Sequence, residues 1–315
     1  MRRTLPVLSL ALASALVLAG CAGEPETDPT GSSAEPIADV DVCATRSGDA
    51  VAAIDVSGDF GVEPGVEFAA PLTVDETERE VVISGDDVAE GALVQIAYAF
   101  YNGATGERID AFGWNEGETA EYLRASVDFL IPGFAKTIGC LGIGSRAVAV
   151  IPADEGFGEA GAQFGLGADD ALVWVVDVVG DAAWESELPV IGGTAEAPTV
   201  TLPATEPLTD LRIATLEEGD GPVVGPADSV TVHYLGTAWE TGEVFDQSYS
   251  RGAPATFSVQ GVVQGFSQAL IGQKVGSRVI VSMPPALGYG ASQGHALQNS
   301  TLVFLIDIVD TASAG

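Results

Sequence analysis

Apolar and polar positions alternate along most of this chain. In the second half, Val230-Thr231-Val232-His233-Tyr234, Arg278-Val279-Ile280-Val281-Ser282-Met283 and Thr301-Leu302-Val303-Phe304-Leu305-Ile306 are rich in β-branched and aromatic residues. Gly and Pro punctuate them, so they read as strands. One stretch breaks the period. Across residues 262–270, Val263, Phe266 and Leu270 stand three and four apart and share one helix face. One or two turns of helix are not stable alone, so this face must lie on something larger. The pattern predicts an α+β fold: an antiparallel sheet curled over one short helix, with an apolar hollow between them.

The pattern occurs twice. Pro64-Gly65-Val66-Glu67-Phe68 matches Pro198-Thr199-Val200-Thr201-Leu202 at an offset of 134, from 64 to 198. Val94-Gln95-Ile96-Ala97-Tyr98 matches Val230-Thr231-Val232-His233-Tyr234, and Thr105-Gly106-Glu107 matches Thr241-Gly242-Glu243, both at 136. Gly133-Phe134 and Gly144-Ser145-Arg146 match Gly265-Phe266 and Gly276-Ser277-Arg278 at 132, and Leu172-Val173-Trp174 matches Leu302-Val303-Phe304 at 130. The offset changes only between matched segments, as loop insertions produce. A period this long indicates duplicated domains rather than a solenoid. We place the first domain at residues 43–182 and the second at 198–312. Residues 183–197, with Pro, Gly and Glu and little to pack, read as a linker.

The start of the chain is of another kind. Arg2 and Arg3 precede an apolar run at residues 5–18, too short to span a bilayer comfortably. It ends in Leu18-Ala19-Gly20-Cys21, which resembles a bacterial lipobox. That resemblance implies a signal peptide at residues 1–20 and a lipidated Cys21 at the mature N-terminus. Residues 21–42, rich in Pro, Thr, Ser, Glu and Gly, then read as a disordered tether. The expected location is outside the cell, lipid-anchored to the outer face of a bacterial membrane. With Cys21 taken by lipid, Cys43 and Cys140 remain of the three cysteines. In an exported chain they suggest one disulfide; two buried thiols are the alternative.

Charge and composition narrow the function. The net charge of −33, with only 12 Lys plus Arg, argues against nucleic acid as a partner. Two His and three Cys do not make a zinc site of usual spacing, and no nucleophile elbow or phosphate-cradling loop is present. We therefore expect no metal and no cofactor. The acidic pair Asp86-Asp87 reads as a turn rather than a calcium site.

What remains is an apolar and aromatic set with few polar tips. Val232-His233-Tyr234-Leu235-Gly236, Gly242-Glu243-Val244-Phe245-Asp246-Gln247-Ser248, Val262-Val263-Gln264-Gly265-Phe266, Gly276-Ser277-Arg278, Leu287-Gly288-Tyr289-Gly290-Ala291 and Asn299-Ser300-Thr301-Leu302-Val303-Phe304 follow in order. Together they resemble the FKBP-type peptidyl-prolyl cis–trans isomerases across essentially the whole second domain. The resemblance implies two tandem FKBP-like domains, each an antiparallel sheet wrapped around a short helix. It implies catalytic roles for Tyr234, Phe245, Asp246, Tyr289 and Phe304, and substrate binding by Arg251, Val262, Val263 and Phe266. Phe266 stands where the family usually has Trp, Val263 would offer its backbone N–H, and Tyr289 its hydroxyl. Arg251 would pair with Asp246. An aromatic usual just after Pro254 is Ala255 here, and the loop at residues 293–298 is short.

In the first domain the same positions read Tyr98, Ile109, Asp110, Leu130, Ile131, Phe134, Phe157 and Trp174, with Asn115 for Arg251. The pocket stays apolar, but the Tyr289 hydroxyl has no counterpart at Phe157. We expect a diverged FKBP-like domain with a degenerate pocket and weak or absent activity; the alternative roles are to bind extended client segments or to space the second domain from the membrane. For the whole chain the expectation is a monomeric isomerase assisting the folding of exported or cell-envelope proteins. Its partners would be unfolded or extended proline-containing chains, with macrolide-type inhibitors as further ligands by resemblance. The alternative is a non-catalytic chaperone or adaptor that binds extended segments.

Overall fold

The structure, a computed structural model, describes residues 41–86, 92–115, 118 and 121–313. The signal peptide, Cys21 and all but the last two residues of the expected tether lie outside them, as does Asp87. In the first half, a short helix α1 (Asp49–Ala52) leads into a hairpin of β1 (Asp55–Ser57) and β2 (Gly65–Glu67). Then come β3 (Glu78–Ile83), β4 (Leu93–Asn102), β5 (Arg108–Phe112), β6 (Glu121–Arg124), α2 (Pro132–Ile138), β7 (Arg146–Ile151) and β8 (Leu172–Asp181). These strands form one antiparallel sheet in the order β3-β7-β8-β4-β5, with β6 pairing the first residues of β4.

The second half repeats this strand for strand. A hairpin of β9 (Val190–Thr194) and β10 (Ala197–Thr201) precedes β11 (Arg212–Glu217), β12 (Ser229–Ala238), β13 (Val244–Gln247) and β14 (Ala255–Ser258). The helix α3 (Gln264–Leu270), β15 (Arg278–Met283) and β16 (Leu302–Ala312) complete it. The sheet order is β11-β15-β16-β12-β13, with β14 pairing β12.

The helices α2 and α3 lie on the inner faces of their sheets, whereas Val51 of α1 packs on the outer face. Pro132 starts α2 at a first-turn position where its missing N–H costs nothing. In α3, Gly265, Phe266, Ala269 and Leu270 are buried. A side chain at Gly265 would begin 2.6 Å from the Met283 Cβ, so glycine there is what lets the helix touch β15.

The outer faces are covered as well. Ile54, Val56, Val66 and Phe68 around the first hairpin pack on Tyr101, Val148, Val150, Val173 and Val175. Ile191, Val200 and Leu202 of the second hairpin pack with Trp184, Trp239, Ile280 and Val303. With both faces dry, β7 is buried at every position rather than at every other one. This corrects the reading of residues 183–197 as a linker with little to pack. Trp184 is buried and stacks on Trp239 with centroids 6.4 Å apart, and β9 is part of a layer. Val42 is likewise buried in a single 3-10 turn, so the end of the expected tether belongs to the fold.

Cys43 and Cys140 are joined as a disulfide, with Cα atoms 5.3 Å apart. It ties that first turn to the end of α2. Beside it the Arg79 guanidinium donates to the carbonyls of Lys136, Thr137 and Gly139, at 2.7–3.3 Å, satisfying the helix C-terminus.

Val40–Gly315 is one compact unit, and the halves share structure. Leu93, Tyr122 and Ala182 belong to the inner core of the second half. Leu211 N–H donates to the Tyr122 hydroxyl at 3.3 Å, and the Gln268 amide on α3 donates to the Tyr122 carbonyl at 3.4 Å. Ile213 N–H donates to the Ala182 carbonyl and Trp184 N–H to the Ile213 carbonyl, a short parallel pairing between halves.

Candidate active site

Between α3 and the inner face of the second sheet lies a hollow of about 260 Å³. Tyr234, Phe245, Asp246, Phe257, Gly261, Val262, Val263, Phe266, Tyr289 and Phe304 line it. The structure thus brings together every second-domain residue singled out in the sequence except Arg251, which stands outside the lining. Sequence reading missed Phe257. The aromatic looked for after Pro254 is supplied two residues beyond Ala255, on the same face of β14. The alternation Ala255-Thr256-Phe257 was the available signal.

The walls follow from register. Tyr234 and Gly236 share a face of β12, and Phe304 on β16 is the direct cross-strand partner of Gly236. A Cβ at Gly236 would lie 2.7 Å from both the Phe245 Cζ and the Phe304 Cε1. Glycine there lets these rings meet at the back of the hollow. Phe304 meets Phe245 edge to face at 5.4 Å and 89°, and Phe266 edge to face at 5.0 Å and 84°. Tyr234 stands edge-on to Phe266 at 87°. Such T-shaped contacts frame a space rather than filling it.

Polar groups sit at the rim. The Tyr234 hydroxyl donates to Asp246 Oδ2 at 2.5 Å and accepts from Arg251 Nη2 at 2.8 Å; Arg251 Nη1 donates to Asp246 Oδ1 at 2.8 Å. Arg251 therefore braces the pair from behind. Burial, then the bond to Asp246, pushes the Tyr234 hydroxyl pKa up. Burial pushes Asp246 up too, but the hydrogen bonds from Tyr234 and Arg251 outweigh it and hold the carboxyl below its usual value. The site thus keeps a protonated tyrosine and an ionised aspartate at neutral pH.

Two donors face the hollow without protein partners among the described residues. One is the Val263 N–H, at the cap of α3; the other is the Tyr289 hydroxyl. The Tyr289 ring is stacked on His295, with centroids 4.0 Å apart. That ring contact within the short loop was not read from sequence. No cluster of His, Cys, Asp or Glu fit for a metal is found among the described residues.

The first half keeps the frame and fills it. Tyr98 donates weakly to Asp110 at 3.4 Å, and the Asn115 amide donates to Glu118 Oε1 instead of bracing that pair. Phe134 touches Phe157 at 5.4 Å and Trp174 at 4.6 Å, and one further ring joins this cluster, Phe100. It stacks on Phe134 at 5.4 Å and 20° and on Trp174 at 5.6 Å and 24°, and meets Phe157 edge-on at 6.1 Å. Phe100 thus adds a ring to the apolar set expected of the degenerate pocket, standing where the 136 offset places Gly236. That comparison was available in the sequence and not made.

An antiparallel sheet wrapped over a short helix, with an aromatic hollow between them, defines a class. The family model described as FKBP-type peptidyl-prolyl cis-trans isomerase matches residues 221–309. An FK506-binding protein of Streptomyces anulatus is 42% identical over 119 residues, 36% of this chain and 96% of that protein. A probable FK506-binding protein of Corynebacterium glutamicum is 39% identical over 115 residues, 36% of this chain and 98% of that protein. The crystal structure of FkpA from Escherichia coli matches with a TM-score of 0.32 at 36% identity, covering 33% of this chain and 49% of that one. The chain belongs to the FKBP-type peptidyl-prolyl cis–trans isomerases.

Proposed function

We propose that the second-half hollow takes an Xaa–Pro segment of an unfolded chain and speeds rotation about its amide. The observation that carries this is an apolar box of aromatic rings facing two donors, the Val263 N–H and the Tyr289 hydroxyl, that have no protein partner among the described residues. Amide resonance makes Xaa–Pro rotation slow, over tens to hundreds of seconds. The twisted transition state has lost that resonance and its charge separation. An apolar hollow favours it over the planar, more polar ground state.

In this reading Phe266 is the floor, and Phe245, Phe257, Val262 and Phe304 seat the proline ring. The Val263 N–H and the Tyr289 hydroxyl donate to substrate carbonyls on either side of the amide. Asp246, held ionised by Tyr234 and Arg251, sits at the rim near the twisting bond. A ten-thousandfold acceleration needs about 5.4 kcal/mol of differential stabilisation, within reach of desolvation and one or two hydrogen bonds.

The lipobox-like Leu18-Ala19-Gly20-Cys21 supports a location outside the cell, tethered through a lipid on Cys21, where exported chains fold. Macrolides of the FK506 type are candidate inhibitors by analogy with the named relatives.

The test is cis–trans exchange of the peptide Ala-Leu-Pro-Phe, followed by NMR with the unit Val40–Gly315. Asp246→Ala and Tyr289→Ala should each slow exchange without changing the folded spectrum. Parent-like exchange in both variants would sink the site assignment. Absence of exchange in the parent, with suppression of client aggregation intact, would favour the binding-only reading.

A further inference from the structure

Phe100 and Gly236 hold the same place in the two sheets. Phe100 on β4 pairs with Trp174 on β8, as Gly236 on β12 pairs with Phe304 on β16. Both point to the inner face. In the second half the missing side chain leaves room for the rings of Phe245 and Phe304. In the first half Ile109 replaces Phe245, and the Phe100 ring, 6% exposed, packs against both Phe134 and Trp174, which also touch each other at 4.6 Å. Its backbone is fixed on both sides, by Asp110 of β5 and Trp174 of β8.

We propose that this one register position decides which half takes a ligand. Gly236 lets the Phe245 and Phe304 rings draw back as walls of the second hollow, which stays open to a prolyl segment, and Phe100 plugs the first with the chain's own ring. The ligand class rests on the isomerase reading; the plug does not. Removing the plug uncovers a second hollow, floored by Phe134 and walled by Trp174, whose Nε1 has no hydrogen-bond partner among the described residues. That hollow would accept the same apolar prolyl segments.

Xenon enters apolar cavities whatever the chemistry of their natural ligand, so it tests the plug independently. In the unit Val40–Gly315 under xenon, signals near Phe266 and Phe304 should shift in the parent while the Trp174 indole N–H does not. In Phe100→Gly the indole signal should shift as well. Titration with Ala-Leu-Pro-Phe should likewise move Val263 and Tyr289 in the parent, and Trp174 and Tyr98 in addition in the variant. Gly236→Phe should abolish the second-half shifts. If Phe100→Gly does not fold, Phe100→Ala serves the same purpose. A Trp174 shift in the parent, with either probe, would overturn the proposal. So would a folded Phe100 variant in which xenon leaves Trp174 unmoved. Xenon entry without any peptide-induced shift would leave the plug standing and sink the isomerase reading instead.

Discussion

The Tyr234 hydroxyl donates to Asp246 Oδ2 at 2.5 Å, and Arg251 reaches both partners. Asp246 has its pKa lowered in the fold, so its contribution to stability is present above the ordinary carboxylate value, about 3.9. It is lost as pH falls through the folded value. Side chains of Asp246 and Arg251 are about half exposed, so water screens the pair and the effect is small. We expect the melting temperature of Asp246→Asn to fall a degree or two below the parent at pH 7 and the gap to narrow as pH falls below the ordinary carboxylate range, by thermal scans across acid and neutral pH. Equal profiles would mean that the triad does not hold in solution.

Tyr234→Phe removes the donor and leaves the ring. Isomerisation should fall about tenfold, the worth of one charge-assisted hydrogen bond of about 1.4 kcal/mol, with the fold intact. The kcat/KM for Ala-Leu-Pro-Phe reads this directly.

Arg146 and Asp177 form a fully buried pair in the first half. Arg146 Nε and Nη2 donate to Asp177 at 2.6 and 2.8 Å, while Gly58 and Val62 carbonyls accept from the remaining guanidinium protons. Gly61 N–H and Trp114 Nε1 complete the carboxylate shell. Asp177→Ala leaves a buried cation and should cost about 3–5 kcal/mol. The corresponding Arg278–Asp307 pair is about a quarter exposed, so Asp307→Ala should cost less. Urea unfolding of both variants makes the comparison.

The disulfide between Cys43 and Cys140 closes a separation of 97 residues. Replacing both cysteines by Ser should lower stability by about 2–4 kcal/mol, chiefly by freeing the unfolded chain. Chemical unfolding of the double variant against the oxidised parent gives the value; no change would mean that the bond does not form in solution.

Much of this was legible in the sequence where a local period specified it. Val263, Phe266 and Leu270 announced α3 by their spacing, and the ordered motifs around Tyr234, Asp246 and Tyr289 placed the hollow. Other parts needed the third dimension. The hairpin at residues 190–201 is short, rich in Gly and Thr, and gains its order only from the outer face of the sheet. Trp184 has no local partner and finds Trp239 through the fold. Phe257 was displaced by two residues from the expected aromatic, which only strand geometry reconciles. Phe100 looked like one more strand aromatic, because a strand does not show whether its inner face is a core or a cavity.

The contact through Tyr122 bears on how the molecule comes apart. Its hydroxyl and its carbonyl both engage the second half, and its ring lies in that half's core. Melting the first half would strip α3 of its neighbour and expose apolar surface at the root of the hollow. Heat should therefore produce a single cooperative transition, with calorimetric and van't Hoff enthalpies equal, despite the two repeats. A protease should meet either the intact molecule or a fully open chain, with no long-lived fragment in between.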